Sequence, residues 1–284
     1  MADVEIRLAR DEDIEPVYEI VAENRIRLFG NVEGFELEHM QNLWRRLRGN
    51  WVATSGTELV GAAALVMSGV EVDVRLEARR RGIGTRLLQI AEEATDLEVL
   101  RADAVMLEPA AAPFLRTNGY EKAFEYWLMG IEVSGDVGGP TWPDDVLVRT
   151  FRGDDALGLW QLLNVAYAEE ATPFPPFDDW RGFMLEDPSF EPENWFLVEA
   201  DGELVAAALN WSDAYVKDLV VHPAWRRRGL GEALMRHTFR HFGDRGVPRV
   251  TLKTDSTNPT QAWRLYERLG MRKERTYEVF QKRL

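Results

Sequence analysis

The amino-acid sequence predicts an α/β (α+β) fold of two similar domains in tandem, each a mixed, mostly antiparallel sheet flanked by helices. The length of 284 residues suits two domains of about 140 residues better than one. Similar segments recur in the same order in the two halves of the chain. A stretch rich in glycine and proline, which disfavours helix and strand, separates the halves and predicts a linker at 134–145. The expected domains are therefore residues 1–133 and 146–284.

The repeat consists of four matched pairs of segments. Each later pair lies slightly further apart in the chain, with offsets of 142, 145, 147 and 151 residues. Insertions in loops between the elements of a duplicated domain produce this steady growth, whereas chance matches would not keep their order. The pairs are 4–8 with 146–150, 58–65 with 203–209, 79–84 with 226–231, and Gly119 with Gly270.

The elements are clearest in the second copy, which begins with a strand at 146–150 where apolar residues alternate. Asp154 and Asp155 are predicted to cap the helix that follows. Asp201-Gly202 is a strong two-residue turn signal and predicts an antiparallel hairpin between 195–199 and 204–209. The apolar face of the first helix contains Leu159, Leu162, Leu163 and Ala166.

Further elements complete the copy. A strand at 216–221 is followed by a helix at 231–242, a strand at 249–254 and a last helix that ends at Gly270. The apolar face of the helix at 231–242 is predicted from residues spaced four apart, Leu230, Leu234, Thr238 and Phe242. Asn258 is predicted to cap that last helix, because proline follows it at the first helical position. The expected order in each half is strand, helix, strands, helix, strand, helix, strand.

Composition limits the possible functions. The chain has 34 Lys and Arg against 48 Asp and Glu, and its net charge of −14 counts against a general nucleic-acid binder. It has no cysteine and four histidines, so disulfides, thiolate nucleophiles and zinc ribbons are excluded and no metal site is predicted. No stretch approaches the roughly 18 apolar residues of a membrane span, and the charged start lacks an apolar signal core. We expect a cytoplasmic protein with no membrane or nucleic-acid partner.

The segment 226–231, Arg-Arg-Arg-Gly-Leu-Gly, lies between a predicted strand and a predicted helix. At such a junction, unpaired backbone N–H groups at the positive end of the helix dipole form a pocket for phosphate. Gly229 and Gly231 allow the backbone to approach an anion closely, and the arginines add positive charge, which favours a pyrophosphate. A solvated arginine run is the alternative, and Gly-x-Gly alone is a weak signal. The second copy of the pattern, at 79–84, favours the phosphate site.

Two other phosphate-binding motifs do not fit this segment. The dinucleotide fingerprint needs a third glycine, and Leu234 stands at that position. The triphosphate loop G-x-x-x-x-G-K-[ST] is absent from the sequence, which excludes the kinase and ATPase chemistry that depends on it.

Two motifs in the second copy resemble those of the GNAT superfamily of N-acetyltransferases. The first is Arg226-x-x-Gly229-x-Gly231 after Leu-Val-Val-His-Pro, and the second is Asn258-x-x-x-Ala262-x-x-x-Tyr266-x-x-x-Gly270. Together with the strand order, they extend the resemblance over most of residues 146–284. The resemblance implies that the cofactor is acetyl-CoA and that Tyr266 lies near the CoA sulfur as the proton donor. Periodicity alone would make Tyr266 a core aromatic residue.

The resemblance also implies a set of cofactor contacts. Backbone amides of the loop would hold the CoA pyrophosphate, and the strand before it would bond the pantetheine and the acetyl carbonyl. The implied residues of the second copy are Leu219, Val220, Val221, Arg226, Arg227, Arg228, Gly229, Leu230, Gly231, Glu232 and Asn258.

The first copy matches the family less well. Its loop, Arg79-x-x-Gly82-x-Gly84, is intact, but Leu115 stands where the second copy has Tyr266, and a leucine cannot donate a proton. We therefore expect a degenerate domain that keeps the fold, with the active site in residues 146–284. Whether the first copy binds CoA is left open; its candidate residues are Arg80, Arg81, Gly82, Ile83 and Gly84.

The general base and the acceptor are less well defined. Asp218 is the candidate base and Asp213 is a second one, but the sequence favours a solvated charge at a strand edge for each. A water relayed to one of them, or no dedicated base, is also compatible with the sequence. Several members of the family have a glutamate where this sequence has Tyr215, which is taken as a substrate candidate. The region after the first helix combines carboxylates with aromatic rings, which attract ammonium groups. Its candidate acceptor residues are Glu169, Glu170 and Asp178, and a solvated acidic loop is an equal alternative.

Three functions remain open at this point. The first is an acetyl-CoA-dependent N-acetyltransferase that acts on a primary amine, with a small cationic molecule as the favoured acceptor. The second is a catalytically silent acyl-CoA-binding sensor, and the motif set that ends in Tyr266 counts against it. The third is a nucleic-acid-binding protein that uses both arginine triplets, and the net charge of −14 counts against it. The sequence leaves the oligomeric state open.

Overall fold

The computed structural model describes residues 4–32, 35–47, 49–66, 69–135, 137–168 and 174–284. The same order of elements occurs twice, which confirms the predicted tandem α/β fold. The first series is β1 Val4–Leu8, α1 Ile14–Phe29, α2 Leu37–Trp44, β2 Gly49–Ser55, β3 Glu58–Val66, β4 Gly69–Val74, α3 Ile83–Ala94, β5 Val99–Val105, α4 Ala111–Thr117 and β6 Glu121–Glu132. The second is β7 Leu147–Thr150, α5 Ala156–Ala166, α6 Phe177–Leu185, β8 Trp195–Ala200, β9 Glu203–Asn210, β10 Tyr215–Val221, α7 Leu230–Asp244, β11 Arg249–Asp255, α8 Ala262–Arg268 and β12 Arg272–Arg283.

The chain divides into two compact units whose boundaries differ from the expected domains. The first unit is Met1–Phe124 with Tyr277–Leu284, and the second is Glu125–Thr276. The physical reason is strand pairing. Residues of β6 pair with β11 of the second unit, and residues of β12 pair with β5 of the first unit. Each unit therefore takes one strand from the end of the other half of the chain.

Each sheet is antiparallel except for one pair of neighbouring strands. The order is β1-β2-β3-β4-β5-β12 in the first unit and β6-β11-β10-β9-β8-β7 in the second. The parallel pairs are β4 with β5 and β10 with β11, and both are short. The β10–β11 pairing consists of Tyr215 with Thr251 and Val216 with Leu252. Beyond Val216, β10 continues to Val221 paired only with β9, which leaves its other edge open.

Helices cover both faces of the second unit's sheet. The face under α5 and α6 is filled by a cluster that includes Leu159, Trp180 and Trp195, each of which is buried. The face under α7 is filled by a second set that includes Leu234 and Phe239. The four residues that define the predicted apolar face of α7 are all buried: Leu230, Leu234, Thr238 and Phe242.

Most local predictions in the second unit are confirmed. Asp201 and Gly202 form the turn between β8 and β9 and both have positive φ, 51° and 81°, as a two-residue hairpin turn requires. The helix α6 was not predicted, because its aromatic and acidic residues were interpreted as a loop. No helix among the described residues is both long enough and apolar enough to cross a membrane.

Candidate active site

A β-bulge in β10 determines the direction of Asp218. Val216 pairs with Asn210 of β9 and Asp218 pairs with Leu209, so Lys217 is an extra residue in the ladder. The bulge shifts the alternation of side chains by one residue. Val220 consequently packs in the cluster under α5, and Asp218, two residues earlier, lies on the same side. There it accepts a hydrogen bond from the Tyr167 hydroxyl at the end of α5, 2.7 Å from its Oδ1.

Tyr266 is the second polar group at this place. It lies on α8, is buried, and packs in the cluster that contains Met235 and Leu252. Burial and the negative charge of Asp218 both raise its pKa above the usual value. The phenol therefore stays protonated at neutral pH and remains able to donate its proton. The charge of Asp218 therefore acts on the Tyr266 phenol, which places these two candidate groups in one region of the second unit.

Asn258 does not occupy the expected position. It was predicted to cap the last helix and to share a helical face with Ala262 and Tyr266, but α8 begins only at Ala262. The Asn258 side chain instead accepts a hydrogen bond from the backbone N–H of Thr260 at 2.9 Å and closes a turn. Gln261, with φ of 51°, separates this turn from the helix. Only Ala262 and Tyr266 share the helical face.

Residues 226–232, called the glycine loop below, have the backbone of an anion site. Arg227 and Gly229 have positive φ, 66° and 85°, within the turn that leads into α7. The first hydrogen bond of the helix runs from the N–H of Ala233 to Gly229 O at 3.0 Å. The N–H groups of residues 230–232 precede that bond and point out of the helix at the positive end of its dipole. This arrangement fits a phosphate group.

The two glycines of the loop have different surroundings. A Cβ at Gly229 would meet nothing within 4 Å, so the space above it is open. A Cβ at Gly231 would lie 3.4 Å from Leu265 of α8. The loop therefore keeps an open face toward solvent and a close packing contact with the helix that carries Tyr266.

The three arginines of the loop are not equivalent. Arg226 donates to Ala166 O at 3.2 Å and to Val221 O at 3.4 Å, so its guanidinium connects the loop to α5 and β10. Arg228 donates to Asp145 at 2.7 Å and lies over the ring of Trp225 at 4.1 Å. The Arg227 side chain is exposed. Arg227 is thus the arginine best placed to meet an anion, while Arg226 stabilises the loop.

The predicted linker contains no helix or strand in its described part, and it packs against α7. Val137 O accepts a hydrogen bond from Arg236 at 3.0 Å, and Trp142 contacts His237 edge-on with 5.9 Å between ring centroids. A groove of about 520 Å³ lies beside the start of α7, lined by the linker and by Arg228, Gly229 and Arg236. The sequence did not show these contacts, because glycine and proline indicate only the absence of regular structure.

The two predicted acceptor residues that the structure describes, Asp178 and Tyr215, lie on different elements. Glu169 and Glu170 lie outside the described residues. Asp178 is exposed in the first turn of α6, and Tyr215 is the partly buried first residue of β10. Asp213, the second candidate base, accepts a hydrogen bond from Tyr215 N at 3.1 Å in the turn before the strand.

Tyr167 was missed by sequence reasoning. It directly follows α5, where no periodic pattern distinguishes it from the other aromatic residues near that end of the helix. Only the position of Asp218 in the folded chain shows that its hydroxyl has a partner at the candidate site.

The first unit has an equivalent loop at residues 79–84 but no tyrosine at the position of Tyr266. Arg80 and Gly82 have positive φ, 64° and 78°, and the N–H of Arg86 makes the first bond of α3 to Gly82 O at 3.1 Å. A Cβ at Gly84 would lie 3.3 Å from Phe114, just as Gly231 faces Leu265 in the second unit. Leu115 is buried one residue after Phe114. The structure thus supports the predicted equivalence of Leu115 with Tyr266.

Comparison with known proteins identifies the family. The model of the acetyltransferase (GNAT) family matches residues 14–120 and 157–271. The chain belongs to the GNAT acetyltransferase family. Enzymes of this family use acetyl-CoA, and the chain is an acyltransferase, as predicted. The two matched regions correspond to the two copies of the repeat.

Individual relatives extend over most of the chain. A mycothiol acetyltransferase of Catenulispora acidiphila is 30% identical over 81% of this chain and 79% of its own length. One of Acidothermus cellulolyticus is 31% identical over 82% of this chain and 78% of its own. Among solved structures, a GCN5-related N-acetyltransferase of Sphaerobacter thermophilus has a TM-score of 0.77 at 23% identity, covering 98% of this chain and 95% of its own. A tandem GNAT protein of the clavulanic acid pathway has a TM-score of 0.74 at 18% identity, covering 99% and 98%.

Proposed function

We propose that this GNAT enzyme transfers the acetyl group of acetyl-CoA to a primary amine of a small, cationic molecule, at a site within the second unit. The observation that carries the proposal is the separation of β10 from β11 after Val216. Asp218 lies on the separated part of β10, Tyr266 is close enough for the charge of Asp218 to raise its pKa, and the glycine loop follows the strand.

The second unit fits CoA in three respects. The open N–H groups at the start of α7, with Arg227 beside them, suit the pyrophosphate. The edge of β10 that lies away from β9 offers the N–H and C=O of Leu219 and the N–H of Val221 to an amide chain such as pantetheine, while the Val221 carbonyl accepts from Arg226. The open space above Gly229 allows a close approach to the backbone. Arg226 contributes by holding the loop in place.

Bound acetyl-CoA would supply the acetyl thioester at this edge of β10. A backbone N–H of the strand would polarise the carbonyl oxygen. Asp218 Oδ2 would accept a proton from the acceptor's ammonium group, whose nitrogen keeps the electron pair for the new C–N bond. As the C–S bond breaks, the Tyr266 hydroxyl would give its proton to the sulfur, and the second proton that the nitrogen loses on becoming an amide would restore the phenol. Tyr266 is protonated at neutral pH, as a proton donor must be, and its raised pKa makes it a weaker acid than a free phenol.

A cysteinyl amine is the second candidate acceptor. The relatives named mycothiol acetyltransferases, at 30% and 31% identity, favour it. Mycothiol synthase, which this tandem chain resembles, acetylates the cysteinyl amine of a glucosamine-inositol thiol. Tyr215, at a position where that enzyme has a glutamate, counts against an identical acceptor site.

An acetyl-CoA consumption assay with a panel of amines tests the proposal. The panel contains small cationic primary amines, the cysteinyl amine of the mycothiol precursor and neutral alcohols of similar size. We expect turnover with primary amines and none with the alcohols. An enzyme that binds acetyl-CoA but acetylates no amine in the panel would contradict the proposal and favour a silent acyl-CoA-binding sensor.

A further inference from the structure

Tyr167 and Asp218 form a hydrogen-bonded pair at the candidate active site. The Tyr167 hydroxyl donates to Asp218 Oδ1 at 2.7 Å, and the Asp218 side chain is only 12% exposed. A hydrogen bond to an ionised carboxylate in a poorly hydrated place is stronger than one between neutral groups. The bond therefore restricts the rotation of the Asp218 carboxyl group.

The second oxygen of Asp218 already faces a primary ammonium group. Lys217 Nζ lies 3.8 Å from Asp218 Oδ2, too far for a good hydrogen bond, and the Lys217 side chain is 34% exposed. This loose ion pair shows that the space in front of Oδ2 accommodates an ammonium ion. An acceptor amine would compete with a partly exposed side chain for that place.

Tyr167 is itself held by neighbouring aromatic residues. Its ring stacks on Phe174, with 5.8 Å between centroids. The segment after Phe174 is fixed to α5, since the indole N–H of Trp160 donates to Pro175 O at 3.0 Å and the Trp160 ring contacts Phe177. The hydroxyl of Tyr167 is therefore held by the helix it follows and by the segment that packs on that helix.

We propose that Tyr167 is a positioning residue for the acceptor. Its hydroxyl occupies Oδ1 of Asp218 and thereby directs Oδ2 toward the ammonium group of the acceptor. As a result, the site binds primary ammonium compounds in preference to neutral ones. The inference rests on the proposed function and deepens it by naming the group that sets acceptor specificity. In the proton step, an N–H bond of the ammonium breaks, an O–H bond forms at Oδ2, and the electron pair stays on nitrogen. Tyr167 keeps its own proton.

A double-mutant cycle on ligand binding tests the inference without any turnover. The protein is saturated with CoA, which carries no acetyl group, and titrated calorimetrically with phenethylammonium or with its neutral counterpart 2-phenylethanol. The measured quantity is the ratio of the two affinities. We expect wild type to prefer the ammonium probe, Tyr167→Phe to lower that preference roughly tenfold, and Asp218→Asn to lower it at least as much. Tyr167→Phe added to Asp218→Asn should produce no further loss.

A packing role for Tyr167 gives a different result. If Tyr167 only packs, Tyr167→Phe would weaken the binding of both probes equally and leave the affinity ratio unchanged. Alternatively, Tyr167→Phe would lower the ratio by the same factor in wild type and in Asp218→Asn. Either outcome overturns the inference. Tyr18→Phe, which removes the hydroxyl of a first-unit tyrosine stacked on Phe35, is the matched control and should behave as wild type. If wild type acetylates amines but the cycle is additive, only this inference fails. If the cycle holds and no amine is acetylated, the proposed function fails.

Discussion

The carboxylate of Asp155 accepts two hydrogen bonds from the guanidinium of Arg149, at 2.7 Å each. The backbone N–H of Arg152 donates to the same carboxylate at 2.6 Å. The first unit has the same arrangement, in which Arg7 donates to Asp13 at 2.7 and 2.8 Å. In each unit the pair connects the first strand to the start of the first helix. Arg149 lies 142 residues after Arg7, and Asp155 lies 142 residues after Asp13. The ion pair between strand and helix is therefore a feature of the duplicated fold.

The Asp155 pair should stabilise the protein in a pH-dependent way. Burial opposes ionisation of the carboxyl, but Arg149 and the Arg152 N–H outweigh it and hold the pKa of Asp155 below its usual value. A lowered folded-state pKa gives stability that is complete above the unfolded-state pKa of about 3.9 and is lost as the pH falls through the folded-state value. We expect Asp155→Asn to lower the free energy of unfolding by about 1–3 kcal/mol at pH 7, measured by urea denaturation with tryptophan fluorescence.

The same variant should lose its effect in acid, where wild-type Asp155 is also protonated. Asp154→Asn is the matched control, because Asp154 is the exposed neighbour in the same turn. A stability difference that stayed constant from pH 7 down to pH 2, or an equal effect of the control, would contradict the assigned ion pair.

Gly229→Ala should weaken CoA binding by about tenfold or more, measured by calorimetry. The new Cβ would project into the open space where the backbone of the glycine loop is proposed to meet the pyrophosphate. The positive φ of 85° adds a stability cost of about 1–2 kcal/mol. Gly202→Ala provides the control, because Gly202 has φ of 81°, a similarly open surrounding and a position in the β8–β9 turn. The two variants should lose similar stability, and an equal loss of CoA affinity in both would refute the site.

Tyr266→Phe should lower the turnover number by roughly 100-fold while leaving CoA affinity nearly unchanged. The hydroxyl matters when negative charge develops on the leaving sulfur, and the ring alone fills the space in the buried cluster. Steady-state kinetics at saturating acetyl-CoA and a separate CoA titration measure the two effects. Wild-type turnover in this variant would reduce Tyr266 to a packing residue.

The sequence predicted the duplicated elements because their signals are local. The Asp201-Gly202 turn, the apolar face of α7 and the glycine loop each depend on residues within about one helical turn of each other. The strand exchange depends instead on pairing between distant residues, such as Tyr277 with Val105. The residues of β6 and β12 do not indicate which strand each will pair with. The sequence therefore predicted the domain boundaries at the linker.

The sequence predicted the parts of the candidate site that depend on a local motif. It did not predict the side-chain contacts between residues that are distant in the chain. Gly229 and Gly231 have a visible motif, and Tyr266 has one as well. The direction of Asp218 depends on a bulge at Lys217, and its partner Tyr167 lies 51 residues earlier in the chain. The prediction for Asn258 was wrong although its signal is local. The Asn258 side chain closes a turn with the N–H of Thr260, and the helix that it was expected to cap begins only at Ala262.

Glu108 distinguishes the loop of the first unit from that of the second. It accepts hydrogen bonds from Arg79, at 2.8 Å, and from Arg27 of α1. Burial opposes ionisation, yet the two arginines hold the pKa of Glu108 below its usual value, so it carries a negative charge at neutral pH. Arg79 also donates to Asn24 at 2.8 Å. The offset of 151 residues places Pro259, which has no charge, at the equivalent position of the second copy.

We therefore expect wild type to bind one CoA per chain, with the first-unit loop empty at concentrations that saturate the second. The Glu108 carboxylate repels phosphate and neutralises the arginines beside the loop that would attract it. Glu108→Gln removes the negative charge and should reveal a second, weaker CoA site, seen by calorimetry as a rise in stoichiometry from one toward two.

Glu121→Gln makes the same change at an exposed position of the first unit and should leave one site. Gly229→Ala combined with Glu108→Gln identifies the unit, because only the second-unit site should weaken. Two equal sites in wild type, or one site in Glu108→Gln, would show that Glu108 does not control nucleotide binding in the first unit.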